Sequence, residues 1–161
     1  MTATVSRDTS FHVRDTCLCL HAQRAARALA RRFDGALRPV GLTNGQFSLL
    51  NALNGGRPAP MSLVAATLGA DRTTLTAALK PLVREGLAEI SVDPEDHRAR
   101  RVALTAAGQE RLAAALSLWA AVHAALETEL ADPDRARRDL LTLSALPAPA
   151  GPTTTTEGPS R

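Results

Sequence analysis

The chain has 161 residues, enough for one domain with its own core and too few to expect two independent ones. It carries 19 Lys plus Arg against 16 Asp plus Glu, a formal charge of +3, and Lys80 is its sole lysine. The basic character is therefore arginine, the fork-shaped donor suited to phosphates and base edges, and no run approaches the roughly 18 apolar residues of a membrane span.

Residues 1–10 are polar and lack the apolar core of a signal peptide, so a cytoplasmic protein with no membrane partner is expected. Residues 1–14 are expected to be a flexible N-terminus. Ala and Leu dominate the rest, which favours helix. From residue 15 to about 37 there is no Pro and no Gly before Gly35, and Leu18, Ala22, Ala25, Leu29, Phe33 and Leu37 follow the spacing of one buried helical face. Pro39 and Gly41 end this first helix. Thr43 then caps a second helix carrying Phe47, Leu50 and Leu53, which Gly55, Gly56 and Pro58 close.

Ser62 is expected to cap a short third helix that stops at Gly69, and Asp71 a fourth that stops at Gly86. Two short helices joined by a Gly-containing turn form a helix-turn-helix. Pro81 lies inside the fourth helix and is expected to bend it or end it early. Leu87, Ile90 and Val92, then Val102 and Leu104, mark two strands around a charged tip, a small β-hairpin. Thr105 caps a fifth helix reaching about residue 130, on one side of which Leu112, Leu116, Trp119, His123 and Leu126 repeat. Asp132 and Pro133 open a last helix ending near Leu146. Residues 147–161 are Pro, Thr, Gly and Ser-rich and are expected to be a disordered tail. The fold expected is mainly α with a small β-hairpin wing.

In the fourth helix Leu75, Leu79 and Leu82 share one side, while Thr73, Thr76, Ala77, Lys80 and Arg84 turn outward. No acidic residue lies between Arg72 and Arg84. Hydroxyls and basic donors on such a face reach base edges and phosphates. An ordinary amphipathic surface helix has the same pattern; the hairpin that follows tips the balance. Its tip sets Asp93, Glu95 and Asp96 beside Arg98, Arg100 and Arg101. Asp96 is expected to pair with an arginine and stiffen the loop, leaving Arg98 free to enter a minor groove. The DNA-contacting set is Ser62, Arg72, Thr73, Thr74, Thr76, Lys80, Arg84, Arg98 and Arg100, with double-stranded DNA as the partner.

These residues carry a resemblance. The stretch D-H-R-A-R-R-V-A-L-T-A-A-G at residues 96–108 resembles the D-x-R-x-x-x-V-x-L-T-x-x-G pattern of the MarR family of bacterial winged-helix transcriptional regulators. G-L-T-x-x-Q-F at residues 41–47 and D-R-T-T-L-T at 71–76 agree with it. The resemblance covers roughly residues 15–146: a winged helix over about 42–106, and dimerisation helices over about 15–38 and 106–146. It implies a homodimer built from the first, fifth and last helices, and a ligand cleft between the dimer and DNA-binding parts. It also implies a regulator, commonly a repressor, that leaves DNA when the cleft is occupied. Dimer symmetry then predicts a pseudo-palindromic operator with half-sites about 10 bp apart or a multiple of that.

Three readings of what is sensed stay open. Counting back from Gln46, Cys19 falls where the organic-hydroperoxide-sensing branch of the family carries its reactive cysteine, although Gln23, Phe33 and Asn44 stand where that branch has tyrosines. Cys17, Cys19 and His21 suggest a soft metal, but Cys17 and His21 share a helical face that Cys19 does not, so no metal site is assigned. A small aromatic or anionic effector is the third: Arg24, Arg27 or Gln46 would meet a head group, Phe47 or Trp119 a ring. The sensor set is thus Cys17, Cys19, Gln46 and Phe47, with an oxidant or small molecule as partner and no cofactor. No nucleophile with a base, metal set or carboxylate pair suggests an enzyme. The rival reading is a winged-helix protein-interaction module that does not bind DNA.

Overall fold

The computed structural model describes residues 4–146; the tail over 147–161 lies outside the described residues. The helices are α1 (Arg7–Thr16), α2 (Leu18–Leu37), α3 (Asn44–Leu53), α4 (Met61–Thr67), α5 (Arg72–Arg84), α6 (Ala106–Thr128) and α7 (Pro133–Ser144). The strands are β1 (Ala59–Pro60), β2 (Ala88–Val92) and β3 (Arg100–Leu104). Contacts divide the chain into two units, Met1–Leu126 and Glu127–Arg161, where one was expected.

Part of the segment read as a flexible N-terminus is helical. Ser6 caps α1 by accepting from the Thr9 N–H, and the guanidinium groups of Arg7 and Arg14 sit 5.4 and 4.8 Å from the Phe11 ring centre. These are local interactions, and no residue of α1 is buried. The first helix is also interrupted: Cys17 is extended, with φ −71° and ψ 106°, and ends α1 before α2 begins. Of the expected apolar face of α2 only Phe33 and Leu37 are buried, while Leu18 is 69% exposed.

The turn into α3 is fixed at both ends. Asp34 on α2 accepts from the Asn44 N–H at 2.6 Å, and Thr43 and Gln46 form a reciprocal capping box. Phe47, Leu49, Leu50 and Leu53 then enter the core. Ser62 does not cap α4. The helix begins one residue earlier, with Pro60 as its N-cap and no side-chain cap. The reason is a third strand the sequence reading missed: Ala59 and Pro60 pair with Val102 and Arg101, giving an antiparallel sheet in the order β1-β3-β2. The chain leaves this strand directly into the helix, and Pro sits on an edge strand where its missing N–H costs no ladder bond.

Between α4 and α5, Gly69 takes φ +60°, a left-handed turn that glycine adopts without strain. Helix α5 continues through Pro81 to Arg84, and its Leu75, Leu79 and Leu82 are buried. The core gathers these with Phe33, Leu37, Val64, Leu87, Val102, Leu112 and Ala115, so α2 to α6 and the sheet share one apolar centre. Thr105 links sheet and helix: its hydroxyl donates to the Gly86 carbonyl at 2.6 Å and accepts from the Gly108 N–H at 3.0 Å.

The unit from Glu127 onward holds α7. Asp132 caps it by accepting from the Arg135 N–H at 2.8 Å, and Arg137 pairs with Glu127 and Asp134 at 2.6 Å each. No residue of α7 is buried, and Leu140, Leu141 and Leu143 are 53, 69 and 42% exposed.

Candidate nucleic-acid interface

The polar face of α5 exists because its leucines recur at positions 75, 79 and 82 and are held by the core, which turns Arg72, Thr73, Thr76, Lys80 and Arg84 to solvent. Asp71 fixes the start of the helix. Its carboxylate accepts from the Thr74 N–H at 2.7 Å and from the Thr74 hydroxyl at 2.9 Å. Those bonds, the backbone one first, hold the Asp71 carboxyl below its ordinary range. They also use the Thr74 hydroxyl proton, and Thr76 donates its own to the Arg72 carbonyl at 2.7 Å. Both can still accept from a base edge. Among the described residues no hydrogen bond takes up the Thr73 hydroxyl, which leaves it able to donate.

The wing tip, residues 93–99, is ordered differently from the expectation. Asp93, not Asp96, holds the arginine: Arg101 Nε donates to Asp93 at 2.7 Å, and the Glu95 N–H donates to the same carboxylate at 3.0 Å. The Arg101 bond first, and then the Glu95 bond, hold the Asp93 carboxyl below the usual range. Asp96 instead accepts from the Arg98 N–H at 2.9 Å, while its carbonyl accepts from the Ala99 N–H at 2.8 Å. This is a side-chain-closed turn, and it sets Arg98 at the apex. The register explains the exchange. Val92 pairs with Arg100, so Asp93 and Arg101 lie at the mouth of the loop where they can meet, and Asp96 lies at its far end.

Arg72, Lys80, Arg84 and Arg98 pair with no carboxylate among the described residues. Arg100 donates to the His97 and Ala99 carbonyls at 3.0 Å each, so the backbone of the tip orients it. The N-terminus of α5, the start of α4 and the wing enclose a cleft of about 350 Å³ lined by Ser62, Arg72, Arg98 and Arg100, with Asp96 at its edge. Four of the nine residues named from the sequence thus converge on one concavity. Thr73, Thr76, Lys80 and Arg84 continue along the exposed face of α5, and Thr74 serves the cap. Sequence reasoning missed Asp93 and Arg101; the signal was their place flanking the two paired strand ends.

The residues named as sensors do not form one site. Phe47 is buried and its ring stacks on Trp119 with centres 6.2 Å apart, whereas Gln46 spends its side-chain oxygen on the Thr43 N–H at 2.8 Å. Cys17 is half-buried at the joint of α1 and α2. Cys19 is exposed, and its sulfur accepts from Gln23 Nε2 at 3.2 Å. His21 Nε2 lies 3.2 Å from the Asp15 carbonyl. Among the described residues no three His, Cys, Asp or Glu side chains are placed to hold a metal ion.

A sequence model described as the MarR family matches residues 40–99, from the end of α2 to the wing tip. No curated protein matches the chain. Among solved structures, the transcriptional regulator MosR of M. tuberculosis in complex with DNA is 41% identical. The alignment covers 80% of this chain and 93% of that one, with a TM-score of 0.75. The transcriptional repressor CouR bound to a 23-mer DNA duplex is 30% identical, over 88% of this chain and 96% of its own, with a TM-score of 0.67. A mutant of MarR from E. coli complexed with operator DNA is 23% identical over 84% and 98%, with a TM-score of 0.72, and shares the fold. Members of this group are transcriptional regulators and not enzymes. With its helix-turn-helix, its arginine-tipped wing and an identity of 41% to MosR over most of both chains, the protein belongs to the MarR family of DNA-binding transcriptional regulators.

Proposed function

We propose that this chain is a cytoplasmic, sequence-specific repressor that binds a pseudo-palindromic operator as a homodimer and is released by a small-molecule effector or by thiol oxidation. The observation that carries the DNA-binding part is the cleft shared by Arg72, Arg98, Arg100 and Ser62, which joins the start of α5 to the wing. In this reading α5 enters the major groove, where Thr73, Thr76 and Lys80 meet base edges and phosphates, and Arg98 enters the adjacent minor groove. Neighbouring half-sites follow from two-fold symmetry.

The dimer reading is supported by the apolar residues a single chain leaves uncovered: Leu18 on α2, and Leu140, Leu141 and Leu143 on α7. Release by oxidation is supported by the exposure of Cys19, which lets a hydroperoxide reach the sulfur. One oxygen passes to the thiolate, giving a sulfenate and an alcohol.

The test is binding of the purified protein to the intergenic DNA beside its own gene at several salt concentrations, with Arg98→Ala alongside. The parent is expected to bind with nanomolar affinity and steep salt dependence, and removing Arg98 to lower the salt slope by about one. Equal, weak and salt-insensitive binding by both proteins would sink the reading in favour of a protein-interaction module. On hydroperoxide treatment the parent should leave the DNA and Cys19→Ser should stay; release of both rules out sensing through Cys19.

A further inference from the structure

A cavity of about 420 Å³ opens between α3, α4 and α6 and shares no residue with the wing-side cleft. Its size falls in the range of small-molecule sites, about 300–1,000 Å³. Phe47 and Trp119 give it aromatic surface, their rings inclined by only 21°, and Leu116 stands at its rim, 42% exposed. His123 stacks on Trp119 with ring centres 4.6 Å apart and so fixes the indole.

The polar groups in the wall are few and all neutral. Ser48 and Asn51 are three residues apart on α3, so they lie on the same side of the helix. Among the described residues no hydrogen bond takes up the Ser48 hydroxyl or the Asn51 amide. Thr67 donates its hydroxyl to the Leu63 carbonyl and keeps its acceptor lone pairs. No Arg, Lys, His, Asp or Glu lines the cavity. Arg27, a sequence-based choice for an anionic head group, lies outside the lining and donates to Gln23 at 3.4 Å. A charged ligand here would lose its water and find no counter-ion.

We propose that this cavity binds an uncharged, planar aromatic ligand, stacked along Trp119 and Phe47 and hydrogen-bonded to Ser48 and Asn51. The proposal rests on the regulator reading for what binding accomplishes. Thr67 is the last residue of α4, and four residues later Asp71 caps α5. An occupant wedged between α6 and Thr67 bears on the turn that sets the recognition helix, so ligand and operator disfavour each other by the same factor.

Trp119 is the only tryptophan, so its emission reports on the cavity directly. The full chain, without DNA, is titrated with methyl 4-hydroxybenzoate and separately with 4-hydroxybenzoate at neutral pH. The ester should change the emission saturably and bind at least about tenfold more tightly than the carboxylate, which must be desolvated unpaired. The variant Ser48→Val/Asn51→Leu, with the parent's circular dichroism, should lose about tenfold for the ester, as expected for lost hydrogen bonds. Leu116→Arg, at an exposed position that tolerates a long side chain, should shift the preference towards the carboxylate. A carboxylate that binds the parent as tightly as the ester, an ester that gives no saturable change, or a double variant that binds undiminished would overturn the proposal. Because no DNA is present, failure to bind an operator and failure of this proposal are observed separately.

Discussion

Arg101 on β3 donates to Asp93 across the mouth of the wing at 2.7 Å, and Asp93 is the one buried charged residue among the described residues. The pair closes the loop that carries Arg98 without itself facing the α5 cleft. Asp93→Asn keeps the shape and removes the charge. It should weaken operator binding on the order of tenfold, the effect of losing one hydrogen bond to a charged group. Fluorescence anisotropy with labelled operator measures this, and unchanged affinity would show that the wing does not need the pair. The pH dependence has a definite sign. The native Asp93 carboxyl titrates below its ordinary range, so its contribution to stability is complete above that range. The contribution is lost as the pH falls through the lower native value. Asp93→Asn should remove that acid-side component from a pH series of thermal melts.

Gly108 is a contact glycine. A Cβ built there would lie 2.0 Å from the Leu87 carbonyl oxygen and 3.0 Å from its carbon, both backbone atoms that cannot swing aside. Gly108→Ala should therefore destabilise by about 1–3 kcal/mol or more, the range for overpacking. Gly35, inside α2, has nothing within 4 Å of its Cβ position, and Gly35→Ala should stabilise by about 0.5–1 kcal/mol. Urea melts of the two variants should move in opposite directions; a shared direction would contradict the packing argument.

Gln46 and Thr43 cap α3 reciprocally. Thr43→Ala should cost about 1 kcal/mol, typical of a lost N-cap. Gln46→Ala should also lower stability while leaving the Trp119 response to methyl 4-hydroxybenzoate intact. A response lost in a folded Gln46→Ala protein would return Gln46 to the effector site.

Leu140 and Leu141 lie exposed on α7, a helix with no buried residue. In solution the protein should have twice its 17.0 kDa chain mass. Leu140→Glu/Leu141→Glu should shift light-scattering mass towards one chain and weaken operator binding, because charges at such positions oppose burial against a second copy. A double variant that keeps the dimer mass would place the interface elsewhere.

Much of this molecule is written in local pattern. The leucines at 75, 79 and 82, the Asp71 cap, the turn glycine at 69 and the Thr105 start of α6 each act within a few residues, and the helices and the arginine-tipped wing follow from them. Periodicity also names Phe47 and Trp119 as apolar. It does not say that they stack, because that depends on α3 and α6 meeting across some seventy positions of chain.

What only the tertiary structure decided is which side chains are already committed. Sequence gave Asp93 and Asp96 equal standing beside three arginines; the strand register put Asp93 against Arg101 and left Asp96 to close the tip. It offered Gln46 as a ligand group, and the cap used it. Ala59 and Pro60 carry too short a signal to read as a strand, and only the free edge of β3 makes them one. The physical reason is the same in each case. Caps, helical faces and turns are fixed by neighbours in sequence, whereas the partner of a charge, a ring or a strand edge is fixed by whatever distant residue the fold brings within reach.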